Sequence, residues 1–297
     1  MATYKTYDTV GIREDLQNAI YDISPTTTPF MSTIGKSTAK NTYHEWQTDS
    51  LADVNLNNAQ VEGADAVSAT LTPTTRVGNY TQISDKVIQV STTDDKVDKA
   101  GRSTETAYQL AKASAELKRD MESILLSDQA QNAGSGTEAR KLGGLASWIT
   151  TNTVDTAGGA LTETMLKEAV LKAYNSGGEP DVLLVSPANK QVVSTFAGIA
   201  EQRYQAPKSS ATTIIGAADV YLSDFGSVSV VPDRFLSDDY SFVLDPSMAS
   251  VAYLRPFKSQ KLAKSGDNEK HLLNVEYTLV VNNESAHAMM SDETVSP

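Results

Sequence analysis

Ser103-Thr104-Glu105-Thr106-Ala107-Tyr108-Gln109-Leu110-Ala111-Lys112-Ala113-Ser114-Ala115-Glu116-Leu117-Lys118-Arg119-Asp120-Met121-Glu122-Ser123-Ile124-Leu125-Leu126 is the stretch whose reading decides the fold, and Ser127-Asp128-Gln129-Ala130-Gln131 continues it. It holds no proline or glycine, and strong helix formers dominate it. Leu110, Leu117, Met121, Ile124 and Leu125 recur at helical spacing, with Ala107, Ala111 and Ser114 extending the stripe in small residues. Lys112, Glu116, Lys118, Arg119, Asp120 and Glu122 fall mostly off the stripe and read as a solvated face of mixed sign. Ser103 or Thr104 can cap the start, Glu105 complements the dipole in the first turn, and Gly134 and Gly136 end the run. The spacing predicts a helix over about residues 103–131. At 1.5 Å per residue it spans on the order of 40 Å. A helix this long, with so narrow an apolar stripe, reads as a strut laid along a sheet.

Beyond the strut, residues 137–249 read as an α/β layer. Leu142-Gly143-Gly144-Leu145-Ala146-Ser147-Trp148-Ile149 is a tight apolar entry. Met165, Leu166, Ala169, Val170 and Ala173 predict an amphipathic helix over Thr162–Asn175, stopped by Gly177-Gly178. Asp181-Val182-Leu183-Leu184-Val185-Ser186 is a continuous apolar run, the pattern of a strand covered on both faces. Ser186-Pro187 opens another helix with proline at its first position, running to about Phe196. Further strands are expected near Asp219–Leu222, Val228–Val231, Tyr240–Leu244 and Val251–Leu254. Arg203–Thr213 is polar and reads as mobile. The last long strand is His271–Val281.

The opening third is of a different kind. Ile12, Leu16, Ala19 and Ile20 mark a short helix. Ser24-Pro25-Thr26-Thr27-Thr28-Pro29-Phe30 then favours extended backbone, so residues 1–36 read as an arm. Residues 37–92 hold two β-rich runs, Thr42–Thr48 and Tyr80–Val90, around a polar, irregular middle from Asp53 to Pro73. An isolated two-stranded excursion is marginal in water, and a long structureless loop inside a compact domain is equally unfavourable. The expectation is that residues 1–92 cannot bury themselves and lie on neighbouring copies of the chain.

The bulk numbers narrow the function. With 40% hydrophobic and 21% charged residues, a chain of 297 residues can build a sizeable core and is not disordered. A net charge of −12 runs against tight, direct gripping of nucleic acid, which draws its affinity from a basic excess. The chain has no cysteine, which removes disulfides, thiolate metal sites and cysteine nucleophiles. No run reaches the ~18 apolar residues of a membrane span. The N-terminus carries no apolar signal region, so a product made in the cytoplasm is expected.

Reactive constellations are not legible. His44, His271 and His287 show no metal-ligand spacing and read as surface or interface residues. There is no Gly-x-Ser-x-Gly elbow and no phosphate loop. Gly134-Ser135-Gly136-Thr137-Glu138-Ala139 superficially matches a dinucleotide fingerprint, but it follows a helix where the fingerprint needs a strand, so it reads as a linker. Asp94-Asp95 and Asp238-Asp239 read as solvated turn acids. Arg255-Pro256-Phe257 reads as an ion-pairing segment toward a neighbouring subunit, and Trp46 and Trp148 as anchors in packed contacts. No catalytic, cofactor-binding or metal-binding residue is assigned, and no cofactor is expected.

Four words of sequence, taken in order, carry a resemblance. They are Ser24-Pro25-Thr26-Thr27-Thr28-Pro29-Phe30, Lys141-Leu142-Gly143-Gly144-Leu145, Pro180-Asp181-Val182-Leu183-Leu184-Val185-Ser186-Pro187, and Glu276-Tyr277-Thr278-Leu279-Val280-Val281-Asn282-Asn283-Glu284-Ser285-Ala286-His287-Ala288. With the order of elements, they make nearly the whole chain resemble the major capsid proteins of tailed bacteriophages with the HK97-type fold, an α+β class. The resemblance implies an N-terminal arm (1–36), an extended β loop (37–92) and an axial domain (137–249) around capsomer axes. It also implies a peripheral domain built from residues 93–136, with the spine helix, and the C-terminal strands of 250–297. It further implies pentamers and hexamers of the chain itself, closing an icosahedral head around DNA without sequence readout. Scaffolding, portal and decoration proteins are the other expected partners, since no long scaffolding segment precedes the arm. Two other readings are an encapsulin-type cellular compartment on the same fold and a soluble cytoplasmic hydrolase using the acids of the middle domain.

Overall fold

The computed structural model describes residues 24–63, 71–99, 103–196 and 219–291, together with residues 65, 68, 101 and 293. The helix expected at Ile12–Ile20 and the polar Arg203–Thr213 segment lie outside these residues. Three β assemblies organise the rest. A four-stranded sheet has the order β1 (Gly35–Thr38), β10 (Ala249–Lys261), β11 (Asn268–Val281), β4 (Gln82–Ser91). A six-stranded sheet has the order β5 (Thr153–Asp155), β12 (Ala288–Ser291), β9 (Tyr240–Leu244), β6 (Val182–Val185), β8 (Gly226–Pro232), β7 (Val220–Ser223). The third assembly is a two-stranded ribbon, β2 (Tyr43–Thr48) with β3 (Thr75–Tyr80).

The strut is helix α3, Glu105–Leu126, lying against β4 and β11 of the four-stranded sheet. Leu117, Met121, Leu125 and Leu126 are buried along it, whereas Ala107 and Ala111 are exposed. The helix starts where the Asp95 carboxylate accepts the Thr106 N–H at 3.0 Å. It stops sooner than expected, because the tight entry after it packs into its C-terminus. A Cβ on Gly144 would lie 2.2 Å from the Ser127 carbonyl oxygen and 2.9 Å from that of Ile124, so only glycine lets the two backbones meet. The Gly144 N–H in turn donates to the Gln129 carbonyl at 2.9 Å. Four further helices are short: α1 (Pro29–Thr33), α2 (Thr92–Lys96), α4 (Leu145–Trp148) and α6 (Pro187–Val193). Helix α5 (Glu163–Asn175) is longer; its N-cap hydroxyl, from Thr162, accepts the Met165 N–H.

Strand β6 is covered on both faces, as its apolar run predicts. Val182 and Leu184 join the core that holds Leu117, Met121 and Tyr277, while Leu183 and Val185 join a second core under α5 and α6. The first core spans both larger sheets and α3, so these elements form one packed unit. Strand β10 outruns its expected four residues because a proline in a strand is tolerated at a bulge. The register with β11 shifts on both sides of Arg255, next to Pro256, and pairing then resumes at Lys258. The chain after 250 serves two sheets: β10 and β11 belong to the four-stranded one, whereas β12 returns to the six-stranded one between β5 and β9.

The opening third is less dependent on neighbours than its composition suggests. Phe30, Met31 and Ile34 are buried in the first core, β1 pairs in parallel with β10, and β4 pairs along its length with β11. The expectation that residues 1–92 cannot bury themselves is therefore corrected for 29–39 and 82–91. These segments satisfy their backbone on strands far along the chain, a long-range pairing that local pattern does not reveal. Phe30→Ala is expected to destabilise the chain by about 3–5 kcal/mol. Leu51→Ala, on the ribbon's exposed extension, should stay within about 0.5 kcal/mol; denaturant unfolding of the full chain measures both.

Candidate assembly interface

Three structural joints and two exposed apolar surfaces carry the chemistry of the molecule. The first joint is the root of the ribbon. Glu276 on β11, only 4% exposed, accepts from Arg255 Nε at 2.7 Å, from the Thr81 hydroxyl at 2.9 Å and from Arg140. Arg140 Nε also donates to the Thr81 carbonyl at 2.6 Å. One buried carboxylate with two guanidinium partners thus fixes the turn between β3 and β4. Such a pair costs desolvation and returns it only with full hydrogen bonding, which is met here. Nearby, the fully buried Asn79 side chain donates to the Gly143 and Leu279 carbonyls at 3.0 and 2.9 Å and accepts the Gly143 N–H at 2.8 Å. Arg255 thus pairs inside its own subunit while its side chain stays half exposed.

The second joint holds the arm. Glu122, expected on the solvated face of α3, is fully buried. Its carboxyl oxygens accept the Phe30 N–H at 2.6 Å and the Met31 N–H at 3.0 Å, capping the first turn of α1. Asp233, equally buried, stands beside it, and one of its oxygens has no other donor. Burial, then the neighbouring Asp233 charge, push the Glu122 carboxyl up to about 8, and burial raises Asp233 as well. A neutral Glu122 carboxyl would supply the donor that this oxygen lacks. Tyr253 of β10 also faces Glu122, and burial raises its phenol.

The third joint fastens the C-terminal segment. Glu293, 2% exposed, accepts from the Ser241 hydroxyl at 2.7 Å and from the Asn189 amide. Burial raises its carboxyl to about 7.

Other residues singled out in the sequence are dispersed. His44 lies on β2, His271 on β11 and His287 beside β12. His287 is fully buried and not at a surface: its Nδ1 accepts the Asp245 N–H at 3.2 Å, and burial lowers its pKa. Asp94 and Asp95, read as solvated turn acids, lie on α2 and both have partners: Asp94, half exposed, pairs with Lys99 at 2.8 Å, and Asp95 caps α3. Trp46 and Trp148 do pack together, with ring centroids 5.4 Å apart. Gly134–Ala139 closes a loop between the bridged residues Asn132 and Lys141. Among the described residues no group of three or more His, Asp or Glu side chains is placed to hold a metal ion.

The larger exposed apolar sets lie on the extension of the ribbon and at one edge of the six-stranded sheet, with Ile83 and Val87 a smaller exposed pair on β4. Between Thr48 and Thr75 every described residue is exposed, including Leu51 at 99%, Leu56 at 91% and Leu71 at 88%. Val54 and Val61 add to this set. On the sheet edge, Tyr174 stacks on Phe225 with centroids 4.6 Å apart, and Leu171, Val220 and Leu222 are exposed in the neighbouring elements. Apolar surface presented this openly is unusual for a subunit that stands alone.

Comparison with known proteins identifies the architecture. The capsid structure of the cyanophage P-SCSP1u superposes with a TM-score of 0.65 at 10% identity, covering 96% of this chain and 94% of that one. The holo-SrpI encapsulin complex of Synechococcus elongatus PCC 7942 gives a TM-score of 0.61 at 14% identity, covering 100% of this chain and 98% of that one. At such identities these likenesses speak for the fold alone, and that fold is the α+β HK97-type shell fold. The major capsid protein of Escherichia phage Phieco32 is 30% identical, covering 93% of each chain. The model of the SU10 major capsid protein family matches residues 2–294, and the chain belongs to that family. It is a tailed-phage major capsid protein, and its place is the capsid of the virion.

The arm joint generates a pH dependence. Between the ordinary carboxylate range and about 8, Glu122 keeps its proton in the folded chain and loses it in the unfolded one. The folded state then binds more protons, so stability falls as pH rises across that window. Glu122→Gln preserves a neutral donor toward Asp233 and an acceptor for the Phe30 N–H. Urea unfolding at about pH 5 and about pH 8.5 should show the natural chain losing on the order of a few kcal/mol. The variant is expected to lose clearly less, its remaining slope coming from the other shifted buried groups, Asp233 and Glu293 among them.

Proposed function

We propose that this capsid protein closes an icosahedral head through pentameric and hexameric rings of itself, around DNA that it lines without reading. One observation carries the proposal: a ribbon rooted on a buried glutamate with two arginine partners holds five large apolar side chains, Leu51, Val54, Leu56, Val61 and Leu71, out in water. A lone subunit gains nothing from exposing them; a ring of copies buries each set on the next. Contacts of this head-to-tail kind close into rings when the rotation allows it. The net charge of −12 supports a lining that does not grip its cargo.

In this reading residues 137–249 form the axial domain at the ring centre, joined there by the returning β12. The spine helix with β10 and β11 forms the peripheral domain, and from it the arm ahead of its core-bound turn and the extension of the ribbon reach neighbours. Scaffolding, portal and decoration proteins act as transient or accessory partners. The role is structural, and no catalysis is assigned to the chain.

Because Phe30, Met31 and Ile34 belong to the subunit's own core, truncating the whole arm would damage the fold, so the loop offers the cleaner test. Replacing residues 50–72 with a short Gly-Ser turn should leave the unfolding midpoint of the chain unchanged while abolishing rings and shells in negative-stain micrographs. Normal shells from the shortened chain would refute the role given to the loop.

A further inference from the structure

Twice the chain passes from one larger sheet to the other close to a single point. The first passage, 245–248, leads from β9 to β10, and the second, 282–287, leads from β11 to β12. The Asn282 N–H donates to the Met248 carbonyl at 2.8 Å, so the two passages touch. His287 closes the contact. Its side chain is fully buried, and its Nδ1 lies 3.2 Å from the Asp245 backbone nitrogen. A backbone N–H can only donate, so Nδ1 has to be the unprotonated nitrogen of a neutral ring. Nε2 is equally enclosed and has no hydrogen-bond partner.

The surroundings give a charged ring little help. Asp245 and Glu284 are the charged groups that face it, and both spend their oxygens elsewhere. Asp245 accepts the Ser247 N–H at 3.0 Å, the Ser247 hydroxyl at 2.6 Å and the Glu179 N–H at 3.3 Å. Glu284 accepts the Thr150 and Thr151 N–H groups at 3.1 and 3.2 Å. These carboxylates and the Met248 carbonyl favour the imidazolium, but burial outweighs them and holds the ring below the usual histidine range. Beside it the backbone is closely packed, since a Cβ on Gly178 would lie 2.5 Å from the Ala286 carbonyl oxygen.

We propose that His287 is an acid-sensitive pin: when its ring takes up a second proton, the joint between the two passages opens and one sheet tilts against the other about the first core. A proton at Nδ1 points at the Asp245 N–H, and two donors cannot share a bond. The charged ring then needs water, which it reaches only by leaving its pocket. An opened, hydrated histidine titrates near about 6.5. Below that pH the opened joint binds more protons than the closed one, so acid favours opening. The buried glutamates respond in the opposite sense. Glu122 and Glu293 keep their protons in the folded chain, so acid tightens the arm and the C-terminal segment. The pin belongs to the single subunit and stands whether or not the loop closes rings.

Because the joints oppose one another, a local measurement is needed. Amide exchange of the full chain, read by mass spectrometry at about pH 7.5 and about pH 5, supplies it once corrected for intrinsic rates. Peptides covering 245–249 and 282–288 are expected to lose protection more than fivefold at the lower pH. The ceiling is about thirtyfold, set by the distance of pH 5 from about 6.5. Helix α5 should keep its protection. His287→Asn puts an amide oxygen in place of Nδ1 and has no proton to gain, so its joint should show no such loss. Unchanged protection in the natural chain, or a loss that the variant shares, overturns the proposal. Should the variant fail to fold, the midpoint of the loss in the natural chain decides. It has to coincide with the titration of the His287 ring followed by NMR, and a separate midpoint overturns the assignment.

The tilt is read independently. The chain has no cysteine, so spin labels at Gln89→Cys on β4 and Ser227→Cys on β8, both exposed, report one distance between the sheets. Its distribution is expected to broaden at about pH 5 with histidine at 287 and to stay narrow with asparagine. A distribution unchanged by acid, beside lost protection, would show local fraying alone and overturn the movement of the sheets.

Discussion

A carboxyl group cut off from water must be neutralised or given partners, because an isolated buried charge costs far more than a fold can spare. At Glu122 both happen. The side chain turns inward from the strut, takes two backbone N–H groups of the arm, and shares its remaining valence with Asp233. Three pieces of chain that nothing local connects are thereby fixed to one another: the arm turn, the long helix and the segment leaving β8. Around that point the first core fills in, with Phe30, Met121 and Leu125 fully buried and both larger sheets contributing side chains. The polar tie sets the positions, and the surrounding apolar burial, worth roughly 1.5–3 kcal/mol per large side chain, supplies the stability.

The subunit so fixed is unequal in its economy of surface. Its centre is packed on both faces of β6, while its ribbon extends into solvent with leucines almost wholly exposed. Rigid rooting reconciles the two. With Thr81, Asn79 and Glu276 immobilising the base, the extension starts from a defined position and direction, so less freedom is lost when it meets a neighbour. Net negative charge acts the other way, since like-charged subunits repel as they gather. Apolar burial and local pairing of lysines with acids are the forces available to offset that repulsion.

Much of this was legible in the sequence, and the misses have a common cause. Periodicity exposed α3, α5 and the doubly covered β6, because each of these follows from a repeating pattern within one segment. The loop was legible as a stretch too polar and irregular to pack. What escaped were side chains whose role depends on a distant partner. Glu122 looked solvated because its neighbours on the helix are charged, and only the arriving backbone of Phe30 and Met31 makes its burial tolerable. His287 was read as a surface or interface residue for want of any local signal of the Asp245 N–H that it meets. Strand β10 looked shorter than it is, because a proline ordinarily ends a strand and a bulge cannot be read from one strand alone.

The pairing of strands has a consequence for how the polypeptide is made. β1 waits for β10, β4 for β11 and β5 for β12, so each larger sheet closes on strands encoded near the end of the message. At about 5–20 residues per second, a ribosome needs on the order of ten seconds or more to deliver them after β1 has emerged. Through that interval the early strands carry unpaired edges and the acidic, leucine-bearing loop is already outside the tunnel. Contacts so distant in sequence also make for slow closure once synthesis ends. A cell translating many such chains side by side holds a pool of sticky, half-finished subunits, and the yield of sound heads depends on how well the host's chaperones keep those nascent edges apart.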